Sequence, residues 1–193
     1  MLLIKNKNGF TLQILSLIIL PPQAVVVFLE VPTQPREFIM RISKIARLFE
    51  KIQMETFPAY KAIYGNDDSK AGDKDSAKIH AYMLLVLEIY IATYKEKIDL
   101  TKLPFVKFAG DSALRHSILT EYKYSMDQIN SLSLSQMVFL LLKYLSPDNF
   151  CETVRDYLNE IKLNPNHSNI DWSLKINWNL GDGADYLLGF DAE

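Results

Sequence analysis

An apolar run, GFTLQILSLIIL, occupies residues 9–20 and is followed at once by Pro21 and Pro22. A helix that spans a membrane needs about 20 predominantly apolar residues. Extending the run to Leu29 reaches that length but places both prolines at the centre of the span, where each costs about 3 kcal/mol or more. An export signal fits poorly as well, because the residues around the prolines lack the paired small side chains that cleavage needs. We therefore expect strands here, and a membrane association through residues 10–29 is the alternative.

Turn residues divide the first 31 residues into three apolar segments. The sequence Asn6-Lys7-Asn8-Gly9 favours a tight hairpin turn, because asparagine and glycine tolerate positive φ angles. After the two prolines, the segment AVVVFLEV over residues 24–31 is dense in the β-branched residues that favour strands. The pattern predicts a three-stranded β-meander over residues 2–31.

From Thr33 onward the apolar residues recur at helical spacing, which predicts about five helices over residues 33–163. The segment 76–95 is apolar nearly all round between Ala81 and Ala92, as expected for a helix at the centre of a bundle. Ser133 and Gln136 have the spacing of a capping box ahead of the apolar stretch MVFLLLKYL.

Strict alternation of apolar and polar residues marks the segment from Trp172 to Leu180. Period two over this length predicts a strand with one face on a core, and residues 186–190 are expected to return as a short edge strand. The predicted fold class is therefore α+β, a single domain over residues 1–193 in which an N-terminal β-meander and C-terminal strands (171–190) pack on about five helices. The alternative is a mainly α bundle with an N-terminal apolar anchor.

Composition excludes some classes of function. The formal net charge of -2 argues against a protein that binds nucleic acid through bulk positive charge. Cys151 is the single cysteine, so no internal disulfide and no cysteine metal cluster can form, which fits a reducing cytoplasm. We expect Cys151 to pack beside the apolar stripe of its helix.

The first predicted helix has a basic outer face, which is a candidate surface for phosphate, acidic lipid or an acidic partner. A solvated face is the more common explanation of such a pattern, and no aromatic residues interleave it as in sites that stack bases. The cationic residues of this face are Arg36, Arg41, Lys44, Arg47 and Lys51.

Three residues are the least implausible acid–base candidates: Glu88, Asp111 and His116. Glu88 is the one acid inside the apolar stretch of its helix, and burial of a carboxylate is how catalytic acids are made. Because charged residues are seldom fully buried, we expect Glu88 on a narrow exposed strip. His80, near the start of the same helix, is also expected to be exposed.

Motifs for cofactor, metal or nucleophile chemistry are missing from the sequence. Gly181-Asp182-Gly183 reads as a turn, because it lacks the third glycine of a phosphate-binding loop. The three histidines are scattered without a second ligand at zinc spacing, and no Gly-x-Ser-x-Gly elbow occurs. We expect neither cofactor nor metal.

The HEPN ribonucleases are small helical bundles that carry an arginine and a histidine with four to six residues between them. None of the three histidines here has an arginine at that spacing. An HEPN-like nuclease or another small hydrolase would therefore need degenerate motifs, and it remains an alternative.

These observations favour a small non-catalytic protein-interaction domain of a bacterium, of a regulatory, accessory or immunity type. Its small size and the exposed charges of both signs suit a protein partner. The expected location is the cytoplasm. A membrane-anchored accessory protein and a hydrolase or nuclease are the alternatives, and the sequence leaves the oligomeric state open.

Overall fold

The computed structural model describes residues 3–5, 11–13, 35–64, 71–98, 108–163 and 170–188, with side chains described over 42–63, 74–98, 108–163 and 170–188. The chain divides into two compact units, Met1–Thr33 and Gln34–Glu193. Whether residues 1–193 form one domain stays a prediction.

The first unit contains two short strands, β1 (Leu3–Lys5) and β2 (Thr11–Gln13). They pair antiparallel, with Leu3 opposite Gln13 and Lys5 opposite Thr11. The third predicted strand, over residues 24–31, lies outside the described residues, so the meander as a whole stays untested.

The second unit is a helical bundle, which confirms the bundle that the helical spacing predicted. Its described residues form seven α-helices and two short 3-10 turns, Leu142–Tyr144 and Pro147–Asn149, and they contain no strand. The α+β fold class with C-terminal strands is therefore wrong, and the number of helices exceeds the predicted five. The helices are α1 (Pro35–Tyr64), α2 (Ala71–Ile98), α3 (Ser112–Tyr122), α4 (Met126–Asn130), α5 (Leu134–Leu141), α6 (Glu152–Glu160) and α7 (Asp182–Leu188).

Helix α2 lies at the centre of this bundle, as its apolar circumference predicted. Its residues 84–89 and 91–92 are all buried, and it packs against α1, α3 and α7. The predicted capping box of α5 is present: Ser133 Oγ accepts from the Gln136 backbone N–H, and the Gln136 side chain accepts from the Ser133 N–H. A second capping box, between Ser125 and Gln128, begins α4.

The segment over residues 172–180 alternates in burial as its sequence does, but it is irregular chain and not a strand. Trp172, Ile176, Trp178 and Leu180 pack against the helical core while the residues between them are exposed or half exposed. An extended segment that lies on helices has the same one-sided burial as an edge strand, and this is why period two was misleading. The predicted edge strand over 186–190 is also wrong, because α7 extends to Leu188.

Within α2, the stretch Lys74–Ile98 is long and apolar enough to cross a membrane by length and composition alone. Of the apolar 18-residue window within this stretch, 61% is buried inside the protein. Core helices of soluble proteins pass the same test, so the cytoplasmic location and its membrane alternative both stay predictions.

Candidate functional site

Glu88 is fully buried on α2, which corrects the expectation that it lies on an exposed strip. Its Oε1 accepts hydrogen bonds from the Trp178 indole N–H at 2.9 Å and the Gly181 backbone N–H at 2.8 Å. Its Oε2 accepts from the Ala184 backbone N–H at 2.8 Å. Ala184 lies in the first turn of α7, whose leading N–H groups have no partner within their own helix. The Glu88 side chain on α2 therefore caps the start of α7 by accepting a hydrogen bond from its first turn.

Glycines allow the backbone to approach this carboxylate. Gly181 has a φ of +100°, and a Cβ there would lie 3.0 Å from the carbonyl oxygen of Gly110. At Gly183 a Cβ would lie 2.8 Å from Glu88 Cγ and 2.9 Å from Leu48 Cδ1. The glycine pair that resembles a fragment of a phosphate loop in sequence thus serves close packing.

We expect Gly183→Ala to lower the free energy of unfolding by about 1–3 kcal/mol, because the added methyl overfills the space beside Glu88 and Leu48. Chemical denaturation measures this change. Gly110→Ala is the matched control: its nearest neighbour would be 3.8 Å away, so it meets only the cost of a φ of +58°, about 1–2 kcal/mol. A Gly183→Ala protein as stable as the wild type would contradict the close packing.

Lys95, two turns after Glu88 on α2, makes a second contact with α7. Its Nζ lies 2.7 Å from Asp185 Oδ1, and the lysine side chain is only 5% exposed.

Burial raises the pKa of Glu88 to about 7, although the N–H groups of Trp178, Gly181 and Ala184 act in the opposite direction. A pKa near neutrality would suit a general acid, but the fully buried carboxylate is engaged with three donors. Glu88 therefore holds the last helix on the bundle.

His80 is buried, with 3% exposure, so the expectation of an exposed histidine is wrong. Tyr60 Oη lies 3.0 Å from His80 Nδ1 and accepts a hydrogen bond from the Asp171 backbone N–H at 3.3 Å. The indole of Trp172 meets the imidazole edge-to-face, with ring centroids 5.1 Å apart. Burial lowers the pKa of His80 to about 4, and the Asp171 charge offsets only part of this. His80 is therefore neutral near pH 7 and joins the segment around residue 171 to the bundle.

Asp111 precedes α3 and pairs with Arg115, whose Nη2 lies 2.6 Å from Asp111 Oδ2. The same guanidinium donates to the carbonyls of Ile129 and Leu132. Arg115 therefore connects α3 with α4 and with the residues that follow it.

The other acid–base candidate, His116, lies on α3 with its Nδ1 2.8 Å from Tyr94 Oη. Among the described residues, no hydrogen bond or ion pair joins any two of Glu88, Asp111 and His116. Nor do these residues contain a group of three or more His, Cys, Asp or Glu that could hold a metal ion.

The predicted basic face of α1 lies partly against α7. The Nζ atoms of Lys44 and Lys51 lie 5.6 Å and 4.8 Å from the centroid of the Tyr186 ring, which is the range of cation–π contacts. Arg47 is exposed. The side chains of Arg36 and Arg41 lie outside the described residues, so an interaction role for this face stays a prediction.

A cleft of about 240 Å³ opens between α2 and α3, and we call it the tyrosine cleft. No sequence motif predicted this cleft. The α2 residues of the cleft recur at helical spacing and are aromatic or polar, unlike the apolar stretch before them. This stripe is the one sequence feature that could have indicated the cleft. The lining residues are Tyr90, Thr93, Tyr94, Lys97, Ser117, Thr120, Glu121, Tyr144, Asn149 and Phe150.

An exposed apolar surface lies around α5, and we call it the Phe139 surface. Phe139 is 74% exposed and Leu142 is 52% exposed. Phe139 borders a shallow groove of about 300 Å³, together with Tyr124, Leu132 and Leu140.

Cys151 was expected to pack beside the apolar stripe of its helix, but this residue is exposed and lies directly before α6.

No protein-family model, curated protein or solved structure matches this chain. The geometry of these clusters and surfaces is therefore the basis for proposing a function.

Proposed function

We propose that this chain is a non-catalytic interaction module that binds a protein partner through the Phe139 surface. The observation that carries the proposal is the phenyl ring of Phe139, which is 74% exposed at the edge of a groove lined by Tyr124, Leu132 and Leu140. Aromatic residues and methionine are enriched at interface cores, and residues of high binding energy cluster in such pockets. A partner side chain of apolar character fits the groove, because its walls are largely apolar.

The hydrogen bonds and ion pairs of Glu88 and Asp111 support a non-catalytic role. Glu88 accepts three hydrogen bonds in a fully buried position, and the Arg115 guanidinium that pairs with Asp111 also contacts two backbone carbonyls. Both groups stabilise the positions of helices and loops. A catalytic acid or base needs hydrogen-bond reach to its substrate, and the fully buried Glu88 does not offer it in this arrangement.

The hydrolase or nuclease alternative needs Glu88, Asp111 and His116 to act on one substrate. Their hydrogen-bond partners belong to three separate contacts: α7 for Glu88, Arg115 for Asp111 and Tyr94 for His116. The separation of these contacts favours binding over this alternative.

Site-specific photo-crosslinking tests the proposed surface. We expect a benzoylphenylalanine that replaces Leu142 to form a discrete crosslinked adduct of this chain with its protein partner, in the cell that naturally makes both. Phe139→Asp should abolish that adduct while changing stability by only about 0.5 kcal/mol, because Phe139 is mostly exposed.

Met54→Asp is the matched control, since Met54 is 70% exposed on α1, away from α5. This variant should leave the adduct unchanged. An adduct that survives Phe139→Asp, or the absence of any adduct from position 142, would overturn the proposal.

A further inference from the structure

The tyrosine cleft offers more hydrogen-bond donors than its own residues use. Tyr90 Oη lies 2.6 Å from Ser117 Oγ. Two hydroxyl groups carry two hydrogens, and this bond uses one of them. Neither hydroxyl makes another hydrogen bond among the described residues, which leaves one hydroxyl hydrogen without an acceptor there. Burial raises the pKa of Tyr90, so its hydroxyl stays protonated near neutral pH.

Asn149, which also lines the cleft, adds to this surplus. Its side-chain amide donates one hydrogen bond, to the Lys143 carbonyl oxygen at 2.7 Å. An amide nitrogen has two hydrogens, and the second has no acceptor among the described residues. A molecule in the cleft therefore needs acceptor atoms.

Positive charge is in excess around Glu121, an acidic residue that lines the cleft. Lys143 Nζ lies 2.7 Å from Glu121 Oε1 in an ion pair. Lys97 lines the cleft, and its charge contributes to the lowered pKa of Glu121, although the hydrogen bonds from Lys143 and Tyr144 are the larger causes. Two ammonium groups thus share one carboxylate, which leaves one positive charge for an anion.

The walls of the cleft are aromatic. The rings of Tyr90 and Tyr94 are 6.1 Å apart and nearly parallel, at 19°, and Tyr144 lies 6.4 Å from Tyr90 at 31°. Aromatic side chains of this kind pack well against a planar ring. The volume of about 240 Å³ is close to the lower end of small-molecule sites, about 300–1,000 Å³, and suits one substituted ring.

We propose that the tyrosine cleft binds a small planar ring that carries an anionic group, with the ring against the tyrosines and the anion at Lys97. The shared chemistry is an aromatic or heterocyclic ring with a carboxylate or a phosphate. This ligand is independent of the protein partner at the Phe139 surface.

Fluorine NMR of the full chain tests the proposal with three probes: 4-fluorobenzoate, 4-fluorophenyl phosphate and the uncharged 4-fluorobenzamide. We expect at least one of the two anionic probes to bind, about fivefold more tightly than the amide. Whichever anion binds better identifies the preferred group. Lys97→Met should remove that preference by weakening the anionic probe about fivefold.

Lys61→Met is the matched control, because Lys61 is also an exposed basic residue in the last turn of a long helix. It should leave all three dissociation constants unchanged, and a thermal melt of each variant shows that it is folded. Equal binding of the amide and the anions, unchanged binding in Lys97→Met, or no binding of any probe at millimolar concentration would overturn the proposal. The Phe139→Asp variant should bind the anionic probe normally, so this test and the crosslinking test can fail separately.

Discussion

Replacing Glu88 by alanine is expected to lower the free energy of unfolding by about 3–5 kcal/mol, one of the largest losses from any single substitution in this chain. The change removes all three hydrogen bonds that hold the start of α7. It leaves the N–H groups of Trp178, Gly181 and Ala184 without their acceptor, and an unsatisfied buried donor costs about 1–3 kcal/mol. It also opens a cavity in a fully buried position. Urea denaturation near pH 7, followed by circular dichroism, measures the loss.

Glu96→Ala is the matched control for this substitution. Glu96 lies two turns further along the same helix and is exposed, so its removal should change stability by no more than about 0.5 kcal/mol. Amide hydrogen exchange adds a local readout: α7 should lose protection in Glu88→Ala before α3 does, since the capped helix is the element that is released. An equal loss from both variants would show that the carboxylate does not hold α7.

The central part of the fold is predictable because its signals are local or follow the helical period. The apolar circumference of α2 predicted its position at the core, and the Ser133–Gln136 spacing predicted the start of α5. Both follow from contacts within one helix or from burial on all sides. These features need no knowledge of the partner element.

The C-terminal part was not predictable in the same way, because its stability depends on contacts distant in sequence. Helix α7 has seven residues, too short to be stable alone, and its cap is Glu88, which is 96 positions before Ala184 in the chain. No local sequence pattern predicts a cap that comes from so distant a residue. The alternation over residues 172–180 correctly predicted that one side of this segment is buried. It could not show whether the segment lies against a sheet or against helices.

The candidate sites show the same difference between local signals and contacts distant in sequence. The sequence drew attention to Glu88 as an acid in an apolar helix, and the structure adds the three donors that give it a structural role. The tyrosine cleft depends on the meeting of α2 with α3 and with the turns around Tyr144 and Asn149. Its residues lie up to about 60 positions apart in the sequence, and only the folded chain brings them together.

Stability should also show two opposing dependences on pH, from Glu88 and His80. Burial raises the pKa of Glu88 from 4.5 to about 7, so its contribution to stability is fully present below pH 4.5 and is lost as the pH rises to about 7. Burial lowers the pKa of His80 from 6.5 to about 4, so its contribution is present above pH 6.5 and is lost as the pH falls to about 4. Between pH 4.5 and 6.5 the two slopes oppose each other, and each approaches about 1.4 kcal/mol per pH unit at most.

Single substitutions separate the two contributions. Relative to the wild type, Glu88→Gln should become more stable as the pH rises from 4.5 to 7, by up to about 3 kcal/mol, because the variant has no proton to lose at this position. His80→Asn should instead become more stable relative to the wild type as the pH falls from 6.5 to 4. Urea denaturation at intervals of half a pH unit measures both differences, and any constant offset from lost packing does not affect the slopes. Parallel curves for wild type and Glu88→Gln would show that this carboxyl group titrates alike in the folded and unfolded chain, and parallel curves for His80→Asn would show the same for the imidazole.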